Sequence, residues 1–242
     1  MAHSIIRRHR ERALAVTMAV GEAPSRAAAT EHQLLCARLG VDLRRLHDIQ
    51  SVERKIELKH ELILAYVPWV QGKLAANAGG ADEIVTHVMI WAFDIHDFAL
   101  GLAIGEYVLR HKLPLPERFK RTAATLIVEE IADAALKRLG QGETFPLHVL
   151  EHAEELGEDE DMPDVVRAKL HKALALITIL EAEALDPNAD GPAGKRRAGI
   201  ERALGMFRRA YGLHHGAGVK KDIDRLEREL KKLAPPPEPD AA

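Results

Sequence analysis

With a single cysteine in 242 residues, Cys36, the chain has no means of forming an intramolecular disulfide or a cysteine-based metal cage. A lone thiol of this kind reads as a small buried hydrophobe. Nothing around it in the sequence suggests the helix N-terminus or paired histidine that activates a nucleophile, and no pattern nominates a serine. Long apolar runs are also missing. Those around Ile63 to Val70 and Val88 to Phe93 fall well short of the about 20 residues that span a bilayer, so no membrane segment is expected. The N-terminus opens on charge, whereas a signal peptide needs an apolar region of about 7–15 residues, so the chain is expected to stay where it is made. No stretch alternates at period two for long enough to make a strand. There is no GxxxxGK(S/T) loop, no GxGxxG after a strand and no HExxH pair, so phosphate-loop ATP hydrolysis finds no support and no cofactor is expected.

What is present is charge, unevenly placed. The net charge is only -3, but residues 1–60 hold 11 Lys/Arg against 7 Asp/Glu, with Arg7, Arg8, Arg10 and Arg12 in one short run. Residues 143–164 hold nine acidic side chains and no Lys or Arg. Residues 195–232 reverse the sign again, with 12 basic against 5 acidic.

Helical patterning dominates the rest. Thr30 and Gln33 make a capping-box pattern, and from there to about Leu74 the composition predicts two long helices. Ile49, Ile56, Ile63 and Val70 recur every seven residues, joined by Leu39 and Leu46 on the offset row, in a coiled-coil-like seam. The seam has two readings: the core stripe of a hairpin within one subunit, or an oligomerisation surface. Beyond a breaker at Ala76 to Gly80, helical segments alternate with punctuation in a way that predicts stacked helix pairs, similar in architecture to tetratricopeptide hairpins. The expected fold is all-α, with a long-helix hairpin followed by helix pairs. Its divisions are a basic flexible or helical arm (1–29), the hairpin (30–78), a helical-repeat domain (79–233) and a solvated Pro-rich tail (234–242).

Several ordered blocks carry a resemblance. These are PWVQG (Pro68 to Gly72), VMIWAFDIHD (Val88 to Asp97), ALGLAIGEYVLRHKLPLP (Ala99 to Pro116), the Glu129-Glu130 helix, DMPDVVRAKLHKAL (Asp161 to Leu174) and GVKKDIDRLERELKKL (Gly218 to Leu233). From about Leu35 to Leu233 the chain resembles the GpM family, the small subunits of tailed-phage DNA-packaging terminases. The resemblance implies a protein in the cytoplasm of an infected bacterial host, not expected in the mature virion. Such a protein recognises the packaging site on double-stranded phage DNA and delivers it to the large subunit, which carries the ATPase and the nuclease. It also implies a homo-oligomeric ring. Where the family leads one to expect a Lys/Arg-rich extension after the last helix, this sequence has PPPEPDAA, so no DNA contact is assigned there.

Each candidate site has a plainer alternative. For DNA the candidates are Arg7, Arg8, Arg10, Arg12, Arg26, Arg44 and Arg45, with Arg54, Lys55 and Lys59 following; arginine offers a planar multi-donor head suited to phosphate, but a basic run is also an ordinary solvated surface. Val219, Ile223, Leu226 and Leu230 form an apolar stripe for the large subunit or for docking on the preceding helix. Its charges are expected to pair within the helix, Asp224 with Arg228 and Glu227 with Lys231. Glu151, Glu154, Glu155 and Glu158 share a helical face, and His148 and His152 lie one turn apart, but no framework for a rigid metal pocket accompanies them and no metal is expected. Asp97 is expected to cap a helix rather than to ligate with Asp94 and His96. Three functions stay open: a DNA-recognising terminase small subunit, a subunit that itself cuts DNA, and a helical scaffold that binds only protein.

Overall fold

The computed structural model describes Arg12, residues 26–184 and residues 193–233. The described residues are all-α, with ten α-helices and no strand. They are α1 (Arg26–Asp48), α2 (Val52–Ile63), α3 (Val67–Ala76), α4 (Glu83–Asp94), α5 (Phe98–Arg110), α6 (Ala123–Gly140), α7 (Leu147–Gly157), α8 (Asp164–Glu183), α9 (Ala193–Leu213) and α10 (Lys220–Leu233). None is long and apolar enough to cross a membrane. The chain divides into two compact units, Met1–Glu130 and Ile131–Ala242.

The predicted pair of long helices is three helices. α1 begins at Arg26, so Thr30 lies inside it rather than at its start; Ala27, Ala28 and Ala29 are the strongest helix formers and extend the helix ahead of the predicted start. The second helix stops at Ile63 and restarts at Val67, because Pro68 has no N–H to donate and its ring clashes with the carbonyl four residues back. The seven-residue seam is therefore discontinuous. Ile49 falls in the link between α1 and α2, where Ser51 caps α2 by accepting from the Arg54 N–H. Leu39, Leu46, Ile63 and Val70 are buried inside the chain, and Ile56 is half-buried.

The break at 76–80 is a turn within one unit. Asn77 adopts a left-handed conformation (φ 49°) that ends α3, and its side-chain oxygen accepts from Arg110 at 3.2 Å, with the His111 ring nitrogen 2.9 Å away. The Tyr107 hydroxyl donates to the Gly79 carbonyl at 3.2 Å. α4 is the central helix of the N-terminal unit, with every residue from Ile84 to Phe93 buried. Such all-round burial is what an apolar run too short for a membrane predicts. α5 lies close against it: a Cβ on Gly101 would come within 2.7 Å of the Phe93 ring.

In the C-terminal unit α8, α9 and α10 enclose one core of Ala175, Ile179, Ile200, Ala203, Leu204, Phe207, Val219 and Leu226. α8 and α9 approach so closely that a Cβ on Gly199 would meet that of Ala182 at 2.7 Å. A 3₁₀ turn and left-handed Gly218 (φ 73°) reverse the chain into α10.

Candidate nucleic-acid interface

Arg7, Arg8 and Arg10 lie outside the described residues, as does the tail 234–242. Arg12 is helical and exposed, and Arg26 opens α1. Arg44 and Arg45 are exposed on the last turns of α1, where cations also favour the negative end of the helix dipole. Arg45 donates to Asp42 at 3.0 Å, and the same carboxylate accepts from the Tyr66 hydroxyl at 2.7 Å. Asp42 is 3% exposed, so Arg45 shares its charge with a buried acid while Arg44 does not. Burial, then the bond to Asp42, raise the Tyr66 pKa and keep the phenol protonated.

α2 adds Arg54 and Lys55 next to these. A shallow groove of about 540 Å³ is lined by Arg45, Arg54, Asp48, Glu57 and Glu61 among others, so its charge is mixed. A second recess, about 240 Å³, is different: His47 of α1, Lys55 and Lys59 of α2, Trp91 of α4 and Arg118, after α5, supply its polar wall. The N-terminal unit thus gathers cations from α2 and the segment after α5, beside the His47 ring of α1, around one recess. Lys59 is held by Asp94 at 2.6 Å, which removes Asp94 from the Asp94, His96, Asp97 cluster. Asp97 caps α5, accepting from the Leu100 N–H at 3.1 Å.

The same unit holds a buried ion network. Asp82 caps α4 through the Ile84 N–H at 3.0 Å, and Trp69 Nε1–H donates to it at 2.9 Å. Lys73 lies 3.8 Å away and is 5% exposed, and His32 lies 3.7 Å away and stacks on Trp69. Burial alone would raise the Asp82 pKa; His32, Trp69 and Lys73 outweigh it and hold the carboxyl below its ordinary value. Cys36 does have a histidine one turn away, His32 at 3.5 Å, which sequence spacing did not credit. Burial and neighbouring Glu83 nevertheless push the thiol up to about 12, leaving it protonated. Asp42, Asp82 and Lys73 were missed by sequence reasoning. The signal was there for Asp42, which falls on the same helical stripe as Leu35, Leu39 and Leu46.

The apolar stripe of α10 faces inward. Val219 and Leu226 are fully buried, and Ile223 and Leu230 pack against the same core. The flanking charges pair between helices rather than within α10: Arg208 with Glu227 at 2.7 Å, Arg196 with Glu229 at 2.8 Å and Arg225 with Glu183 at 2.7 Å. Arg228 donates to the backbone carbonyl of Asp224. With α8 and α9 close alongside, opposite charges on the neighbours are in reach and displace the intrahelical pairs.

On α7, Glu154 turns to His171 at 3.3 Å. Among the described residues no group of three or more His, Cys, Asp or Glu side chains is gathered as a metal site requires.

The sequence model described as phage small terminase subunit matches residues 36–165, more than half of the chain. The chain belongs to the phage small terminase subunit family. It is 39% identical over 235 residues to the "Terminase, endonuclease subunit" of Escherichia phage P2, covering 97% of this chain and 88% of that protein. It is 22% identical over 212 residues to the "Probable terminase, endonuclease subunit" of Haemophilus phage HP1, covering 84% of this chain and 72% of that one. No solved structure matches this small terminase subunit. The matched region takes in all of α2 to α7 and the C-terminal half of α1, and so the whole basic recess.

Proposed function

We propose that this small terminase subunit binds the packaging site of double-stranded phage DNA in the cytoplasm of the infected host and presents it to the large, nucleotide-hydrolysing and cutting subunit. The observation that carries the reading is the basic face of the N-terminal unit, exposed Arg44, Arg45, Arg54 and Arg118 with half-buried Lys55, lying within the region the family shares. Arg7, Arg8, Arg10, Arg12 and Arg26 add an N-terminal arm to it. Lysine and arginine heads displace the counterions condensed on DNA, and repetition of weak contacts around a homo-oligomeric ring multiplies them through effective concentration. For assembly, α1 leaves Leu34 (61% exposed) and Val41 (47%) one heptad apart on its outer face, and these replace the buried seam as the self-association surface. The α10 stripe is occupied by its own core, so the large subunit docks elsewhere.

The relatives' printed names favour a second reading, in which this chain is itself the endonuclease. Purified protein is incubated with packaging-site DNA and Mg²⁺ or Mn²⁺, alone and with the large subunit and ATP. The proposal expects cutting only when the large subunit is present. Cutting by this chain alone, lost on Glu151→Gln or Glu155→Gln, establishes the second reading.

A further inference from the structure

The recess between α1, α2 and α4 has a wall made of donors. Trp91 is fully buried, yet its Nε1–H finds no acceptor among the described residues. The other tryptophan is treated differently: Trp69 Nε1–H is given the Asp82 carboxylate at 2.9 Å. A buried indole N–H without an acceptor is costly, and native interiors rarely keep one unless something else fills the role. Around Trp91 the recess presents Lys55, Lys59, His47 and Arg118. Of these only Lys59 meets a carboxylate, Asp94; Lys55, His47 and Arg118 have no ion-pair partner among the described residues. Arg118 is aligned by its stacking over Phe119, 4.9 Å from the ring centroid. Leu43 and Leu46 close the rest of the wall with apolar surface, which keeps the local dielectric low and strengthens any charge-assisted bond formed inside.

Donors from three helices and one loop, an indole N–H with no acceptor among the described residues, and no carboxylate in the lining define an anion site. We infer that this recess binds a phosphate group, with Lys55 and Arg118 supplying charge and Trp91 Nε1–H the directional bond. The volume, about 240 Å³, exceeds the roughly 30 Å³ of a single water several-fold, so a hydrated tetrahedral oxyanion fits. Its source is a DNA backbone phosphate or a free phosphate. The first rests on the DNA-binding reading above and the second does not.

The test uses the full-length protein and its two indole N–H signals in a ¹⁵N-correlated spectrum, with the Trp91 signal assigned by Trp91→Phe. Inorganic phosphate is titrated against chloride at matched ionic strength. The site predicts a saturable shift of the Trp91 signal, with Trp69 unmoved, and about tenfold weaker binding in Lys55→Ala and in Arg118→Ala. Should Trp91→Phe not fold, these two variants assign the signal through the loss of its shift. A packaging-site duplex is then added. Movement of the same signal identifies the ligand as a backbone phosphate. Movement with phosphate but not with bound duplex identifies a free phosphate and leaves the site standing. An indole signal that responds to neither, or responds equally to chloride, overturns the site; if duplex binding persists in that case, the DNA-binding reading is untouched.

Discussion

Trp69 Nε1–H and the Asp82 carboxylate, 2.9 Å apart, join α3 to the start of α4 in the interior of the N-terminal unit. The same acid caps α4 and stands 3.8 Å from Lys73, which is 5% exposed. Asp82→Ala strips a buried ammonium of its counter-ion, an indole of its acceptor and a helix of its cap. Breaking a buried pair in this way is expected to cost at least about 3 kcal/mol, read as a lower urea midpoint. Asp82→Asn keeps the acceptor oxygen and loses less.

Stability should also depend on pH through His87. The ring is 5% exposed and its Nδ1 lies 2.8 Å from the Glu83 carbonyl. Burial lowers its pKa from 6.5 and nearby Arg118 adds to this, against an opposing contribution from Glu83. A depressed histidine binds its proton more readily unfolded than folded, so its contribution is complete above the unfolded value and is lost as pH falls toward the folded one. The urea midpoint is expected to fall as the pH drops below about 6.5, and His87→Gln to flatten that part of the curve. A profile identical to wild type would remove His87 from the account. Asp82 acts in a separate, more acidic window: its folded pKa is depressed, so its contribution disappears only as pH drops through the carboxylate range.

Two glycines of α9 are predicted to respond oppositely to one substitution. Gly199→Ala pushes a methyl to 2.7 Å from Ala182 and should destabilise by about 1–3 kcal/mol. Gly205 has nothing within 4 Å of its Cβ position, so Gly205→Ala should gain up to about 1 kcal/mol from helix propensity. Thermal melts of the two variants decide the point.

Leu226 separates a core role from a docking role. Because it is fully buried beside Phe207, Leu226→Ala is expected to cost about 2–5 kcal/mol of folding stability. A variant that keeps wild-type stability and loses only the large subunit would restore the exposed-stripe reading.

The helical class was legible from period and punctuation: Asp97 caps the helix it was expected to cap, and the described residues are all-α. The seam was misleading because a seven-residue repeat was counted across Pro68 and across the link at residues 49–51, where the backbone cannot stay helical. Partners were the least legible feature. Glu227 has Lys231 in sequence and Arg208 in space, and the second is reached only through the packing of α9 on α10. Trp91 looks like any core aromatic until its N–H is found without an acceptor among the described residues.

The central claim is that this chain grips DNA electrostatically, and binding to a packaging-site duplex across a salt series tests it most directly. Each phosphate neutralised contributes about -0.9 to the slope of log K against log salt. The account predicts a slope steeper than about -3 for the wild type, and a shallower one with weaker binding when Arg44 and Arg45 become Ala. A salt-independent affinity, or a slope unchanged in the doubly substituted protein, would contradict it.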